Sequence, residues 1–447
     1  MNAVMQAHQH YAAEFERVES VLAGAASPWL RELRRNALAV FVERGFPTAR
    51  DEDWKYTRTA AIEKRAFSCV PAAAAPLNAQ RLQQVLHTEF AAHRIVIVDG
   101  RYRPEWSQLD GLPAGVRVTA LAAALSDESS GVRTALGKAV NIQRHPFAAL
   151  NTAFIDDGVF IALQKGAVLD QPVQIVFVAS AAQGGHATHP RVVVAADEHS
   201  RATLIERFVA LDEAVYFTNA VTEVVLGDHA SVELCRLQEE SAKAFHISGV
   251  FVTQGRASRF TSHAISLGAL LARDDIDVQL AAPGVECTLN GLYMAGGRQH
   301  ADTHSRVDHL QPHGTSHEFY KGVLDGHGRG VFNGKVIVHP DAQKTDARQR
   351  NENLLLSDDA EADTKPELEI YADDVKCAHG ATVGQLDADS VFYLRSRGMD
   401  EAAARSLLTY AFASEIIERV PVPAIRAYLQ QAVLARLPGG PAIEEFL

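Results

Sequence analysis

Ser200-Arg201-Ala202, Asp228-His229-Ala230, Gly255-Arg256-Ala257 and Pro283-Gly284-Val285 are four similar turns whose last residues fall 28, 27 and 28 positions apart. Around them run short β-branched segments: Val159–Leu163, Val173–Val178, Arg191–Ala195, Ala202–Phe208, Val221–Leu226 and Ser231–Leu237. Each has the composition of a strand. So regular a recurrence marks a coil wound along an axis, in which each turn buries its apolar face against the next. Short, evenly spaced strands also suit a β-sandwich. The constant interval favours a right-handed parallel β-helix.

Outside the repeat the spacing is helical. Trp29, Leu30, Leu33, Ala37, Val40 and Phe41 form one apolar stripe, with Ser27-Pro28 as its start and Gly45-Phe46-Pro47 as its stop. Val70–Pro76 reads as a linker, and Arg94–Asp99 as a short buried strand. Near the end, Asp400 caps a helix from Glu401 to about Arg419, Pro421 and Pro423 break it, and a second helix runs from Ala424 to about Leu437. The expected architecture is mainly β with α. A mostly helical N-terminal domain (1–125) precedes a β-helix core (126–390), and a helical C-terminal domain (391–447) follows.

Composition narrows the function. The chain has 447 residues, 47% of them hydrophobic and 22% charged, as in an ordinary globular protein. With 43 basic and 55 acidic residues the formal charge is −12, which argues against an extended nucleic-acid surface. No apolar stretch approaches the roughly 20 residues needed to span a bilayer. The four cysteines, at 69, 235, 287 and 377, form no CxxC, so neither a disulfide framework nor a self-contained metal site can be written. A reducing cytoplasm is the expected location.

Several motifs fail on inspection. Gly330-Val-Phe-Asn-Gly334-Lys335 approximates a phosphate loop but lacks one spacer and the Ser or Thr that would hold magnesium. His300, His304, His309, His313 and His317 recur every four or five residues. In strands, His300 and His304 would share a face, as would His309, His313 and His317. Both hydrogen-bonded histidines and a self-contained His-rich metal site fit that run. The paired acids Asp156-Asp157, Asp274-Asp275, Asp358-Asp359 and Asp373-Asp374 raise a polysaccharide hydrolase or lyase as a rival, although neighbours on a strand face opposite sides.

The most informative segment is Leu368–Leu386, LEIYADDVKCAHGATVGQL. If it is extended, Cys377 and His379 point to one face, about 7 Å apart along the backbone. A thiolate and an imidazole so placed can share one soft metal ion but cannot close its coordination. A buried cysteine beside a structural histidine is the plainer reading.

This segment, the surrounding block from about Asn290 to Arg397, and the stretches GFPTARDEDWKYT (Gly45–Thr57) and LNTAFIDDGVFI (Leu150–Ile161) resemble the SufB/SufD family of iron–sulfur cluster assembly scaffolds. Cys377-Ala-His379-Gly380 is similar to the SufD form; SufB-like chains tend to carry a Glu-His pair near this point. The resemblance implies a non-catalytic subunit that pairs with SufB through the β-helix cores and binds the ATPase SufC through its C-terminal helices. It leaves open a homodimer of the chain alone. No permanent cofactor is implied. A transient iron–sulfur cluster or iron would sit at the SufB–SufD interface, with His379 and Cys377 as metal ligands shared with the partner. Tyr410, Phe412 and Ile416 are the SufC contacts so implied.

Overall fold

In the computed structural model, which describes residues 3–69, 77–180, 184–440 and 443, the repeat becomes two stacks of parallel strands. The chain enters through β1 (His93–Val98), β2 (Arg101–Tyr102), β3 (Val116–Ala120), β4 (Gly158–Leu163), β5 (Val173–Ala179), β6 (Ala187–Thr188) and β7 (Arg191–Ala196). It continues through β8 (Arg201–Ala210), β9 (Phe217–Leu226), β10 (Ser231–Glu239), β11 (Phe245–Gln254), β12 (Arg259–Ser266), β13 (Leu271–Leu280) and β14 (Glu286–Ala295). The last strands are β15 (His300–His309), β16 (Thr315–Leu324), β17 (Arg329–Val338), β18 (Asp346–Leu355), β19 (Glu361–Ile370) and β20 (Lys376–Gly384). One sheet runs β2-β1-β5-β8-β10-β12-β14-β16-β18-β20, and the other runs β19-β17-β15-β13-β11-β9-β7-β4-β3. From β7 onward successive strands alternate between the sheets, so each pair is one turn of a parallel β-solenoid of about eight turns. The six strands expected from the sequence are β4, β5 and β7–β10. The segment around Arg94 is β1, which pairs with β5 and extends the first sheet.

The turns explain the period. Ladder partners from β10 to β20 are 27 to 31 residues apart. At the same corner of successive coils one residue adopts the left-handed conformation: His199, His229, Ala257, Gly284, His313 and Lys344. His and Gly, which tolerate this conformation well, hold four of the six corners. The four turns read from the sequence are nevertheless not in one register: the ladders align Ser200, Ala230, Ser258 and Val285. Inside, inward-facing residues of successive strands stack into an apolar column, including Leu204, Leu234, Phe260, Cys287, Leu289, Ile276, Val307 and Val336, with buried polar groups at some levels.

Helices close the sides. At the N-terminal end are α1 (Ala3–Val18), α2 (Pro28–Arg44), α3 (Ala60–Glu63), α4 (Ala79–Val85), α5 (Leu121–Ser126) and α6 (Pro146–Ala153). The α2 helix begins after Ser27 and stops at Gly45, as its sequence signals require. The expected linker at 70–76 lies outside the described residues. The segment Gly45–Thr57 docks onto the solenoid: Thr57 Oγ1 donates to Asp302 Oδ2 at 2.5 Å, and the Arg273 guanidinium lies 3.7 Å from the Trp54 ring centre. After β20 come α7 (Ala388–Ser396), α8 (Glu401–Ile417) and α9 (Pro423–Leu434). Asp400 caps α8 by accepting from Ala403 N at 2.8 Å.

Candidate functional site

The last coil differs from every coil before it. The β18 strand has a hydrogen-bonded neighbour on each side, but among the described residues β20 pairs with β18 alone, and β19 with β17 alone. Both sheets therefore end in an unpaired edge. Most of β20 is exposed, and so is the connection Ile370–Tyr371 between the two strands. Beyond it, α7 buries none of its side chains and presents Phe392, 73% exposed, and Tyr393. Exposed backbone edges and apolar side chains in one place form a surface that another chain can cover.

Cys377 and His379 lie on this edge strand. Cys377 is the ladder partner of Ala347 and His379 that of Gln349, and both partners are buried in the lumen. The two donors thus share the lumen-facing side of β20, as their alternation in the sequence requires. Cys377 is partly buried and packs against the apolar column, whereas His379 is exposed because no further coil covers it. Burial pushes the Cys377 thiol above its usual range; Asp346 adds to the rise, and a backbone hydrogen bond from Ala347 partly offsets it. Cys377 and His379 could hold a metal ion only with donors from elsewhere. Among the described residues, no three His, Cys, Asp or Glu side chains converge as a metal site.

The other cysteines are placed differently. Cys287 lines the lumen and Cys235 lies beneath the C-terminal helices, both buried with thiols raised by desolvation. Cys69 Sγ is 3.4 Å from His189 Nε2 in the N-terminal region.

The histidine run does not form one site. His309 ends β15, His313 occupies the following corner, and His317 lies on β16 in the opposite sheet, so these three share no face. The strand period failed there because the chain turns at Pro312-His313-Gly314. The buried members are hydrogen-bonded: His309 Nε2 to Ser316 Oγ at 2.8 Å, and His300 Nε2 to Thr57 Oγ1 at 2.8 Å. Burial lowers His309 to about 4, so its ring is neutral at pH 7. Of the paired acids, Asp274 points into the lumen, where it accepts from Arg236 and Ser248. Asp275 points outward to Arg273.

Tyr410 and Ile416 of α8 are buried, and Phe412 is half-buried with Lys321 Nζ 4.2 Å from its ring centre. They join Ile205, Cys235, Leu237, Ile265, Leu292 and Phe319 in a cluster on the outer face of the β14–β16 sheet. Helical spacing identified an apolar face, and the solenoid itself covers most of it.

The residues beneath the edge strand were not visible in the sequence. Glu318 and Gln349 lie in the lumen, with Gln349 Nε2 donating to Glu318 Oε2 at 3.2 Å. Their contact depends on the stacking of β16 on β18, which no local pattern encodes.

Two family models match the chain: "SufBD protein N-terminal region" over residues 5–175, and "SUF system FeS cluster assembly, SufBD core domain" over residues 177–412. An iron–sulfur cluster assembly SufBD family protein of Synechocystis is 32% identical over 94% of this chain and 93% of its own length. The iron–sulfur cluster assembly protein SufD of Escherichia coli is 31% identical over 98% of both chains. A chloroplastic protein of Arabidopsis thaliana, ABCI7, is 30% identical over 89% of this chain and 84% of its own.

Proposed function

The chain belongs to the SufBD family, and from that premise we propose that it is a non-catalytic scaffold subunit of iron–sulfur cluster assembly. The observation that carries this reading is the placement of Cys377 and His379 on the unpaired edge of the terminal coil. A cluster that is built and then surrendered is better held by ligands divided between two chains than by a complete set on one. Two donors on a free edge supply half of such a site. A SufB-like partner adding strands to β19 and β20 would bring the remainder.

The C-terminal helices rest on the outer face of the same sheet, so a SufC-type ATPase bound to them would be mechanically linked to the edge strand. Tyr410 and Ile416 hold the helix in place, and Phe412, being half-buried, is the one of the three with surface left for a partner. Motion of the ATPase would open or close the shared site, a shift of populations rather than chemistry by this chain. No helix among the described residues is long and apolar enough to cross a membrane. The reading places the work in a reducing compartment such as the cytoplasm, where thiols stay free.

Two measurements test the proposal. Co-purification with SufB and SufC should give a stable complex; failure of this chain to associate with either would refute the scaffold role. In the reconstituted complex, His379→Ala should leave assembly of the subunits intact and lower the yield of cluster. An unchanged yield would remove His379 from the site.

A further inference from the structure

The lumen behind His379 is built around one amide. Ladder partners place Ser262, Leu289, Glu318, Gln349 and His379 in a single row across β12, β14, β16, β18 and β20, all on the interior side. Gln349 is 3% exposed, and its position is fixed from two directions. Its Nε2 donates to Glu318 Oε2, which also accepts from Ser305 Oγ at 2.6 Å. Across the lumen, Gly334 on β17 leaves the room the amide occupies. A Cβ at Gly334 would lie 2.2 Å from Gln349 Nε2 and 2.8 Å from its Cδ. This close approach gives a structural reason for the glycine in a stretch that only approximates a phosphate loop.

Gln349 Oε1 is buried without a hydrogen-bond partner among the described residues. Buried acceptors are rarely left unmatched, because each has given up its water. With Nε2 drawn toward Glu318 on β16, the oxygen is free to serve the other neighbouring strand. On that side, one strand spacing away (about 4.8 Å) and on the same face, is His379. Histidines that bind metal are commonly oriented by donating their second ring N–H to an oxygen of the protein.

We propose that Gln349 is a positioning residue for His379: its Oε1 accepts one imidazole N–H, fixes the tautomer and turns the other ring nitrogen toward the cargo metal. Glu318 holds the amide in the orientation that makes this acceptor available, and Gly334 leaves the room it needs. The inference rests on the reading of His379 as a cluster-facing ligand, and its test is independent of iron.

The full-length chain, labelled with 15N on its histidine rings, reports the His379 tautomer at alkaline pH, where imidazole is neutral. Loss of one signal in His379→Ala identifies the ring. In the wild-type chain a single tautomer should dominate, and Gln349→Met should return the ratio to that of a solvated histidine. The reversed pair E318Q/Q349E, in which an amide at 318 donates to a carboxylate at 349, should restore the bias. A purely structural role for Gln349 would shift the melting temperature and leave the tautomer alone. The proposal is overturned by a wild-type His379 with the ratio of a solvated ring, or by a folded Gln349→Met chain that keeps the wild-type ratio. If Gln349→Met does not fold, the wild-type ratio and the reversed pair decide. Unchanged cluster yield in His379→Ala would remove the metal role and leave the tautomer result standing, so the two failures are distinguishable.

Discussion

Replacing Glu318 by glutamine should change how the stability of the chain depends on pH. Glu318 is fully enclosed in the lumen, and burial pushes its carboxyl up to about 7. The hydrogen bonds from Ser305 and Gln349 oppose the rise without cancelling it. The folded chain therefore binds this proton more tightly than the unfolded chain does. Below about pH 4.5 both states carry the proton and no penalty appears. As pH rises from there to about 7, the unfolded carboxyl ionises first and stability falls. Above that, both states are ionised and the full cost of a buried carboxylate remains. A displacement from the ordinary range near 4.3 to about 7 corresponds to roughly 3.7 kcal/mol in all, of which about 3 kcal/mol develops between pH 4.5 and 8. Glu318→Gln has the same shape and keeps an acceptor for Ser305 and Gln349, but it cannot ionise. Urea unfolding followed by circular dichroism at pH 4.5, 6, 7 and 8 measures both chains. The stability of the glutamine variant relative to wild type should grow by about 3 kcal/mol between pH 4.5 and 8. Parallel curves would refute the assignment of a raised, buried carboxyl to Glu318.

Three further outcomes follow from burial. Ile416→Ala removes a side chain with no exposed surface from beneath α8, and should cost about 2–5 kcal/mol and make the C-terminal helices the first site of limited proteolysis. Arg191 and Glu223 are fully buried and joined at 2.5 Å, so Arg191→Met should destabilise by about 3–5 kcal/mol, and Glu223→Gln in the same chain should recover part of the loss in urea titrations. Timed alkylation read by mass spectrometry should modify Cys377 well before Cys235 and Cys287, which should react only on unfolding; equal rates would contradict the placement of Cys377 at an open edge.

Much of this was legible locally. Strand segments such as Val221–Leu226 were recognisable from β-branched runs between turns, because one face of the strand lines the lumen and the other is covered from outside, as by α6 over Val221. Turn residues recurred because each coil passes a left-handed corner, but which residue stands there varies from His and Gly to Ala257 and Lys344. Asp400 and the prolines marked the C-terminal helices by the same short-range chemistry. Where long-range stacking decided, the sequence was silent. Helical spacing around Tyr410 and Ile416 identified an apolar stripe but not what covers it. The Gly45–Thr57 segment carried no sign that Trp54 would stack on Arg273, more than 200 residues away. His309, His313 and His317 looked like one face until the corner at His313 divided them between two sheets.

Local sequence carried the approximate coil length, the limits of the C-terminal helices and the placement of Cys377 and His379 on one side of a strand. These depend on side-chain alternation and backbone preference within about ten residues. Coil-on-coil stacking was needed to show that the strand carrying them is the last in its sheet among the described residues, that its edge is unpaired there, and that Gln349 and Glu318 stand behind it. Contacts across the lumen join residues one coil apart. Their register is set by the packing of whole turns on one another, not by any pattern within a single turn.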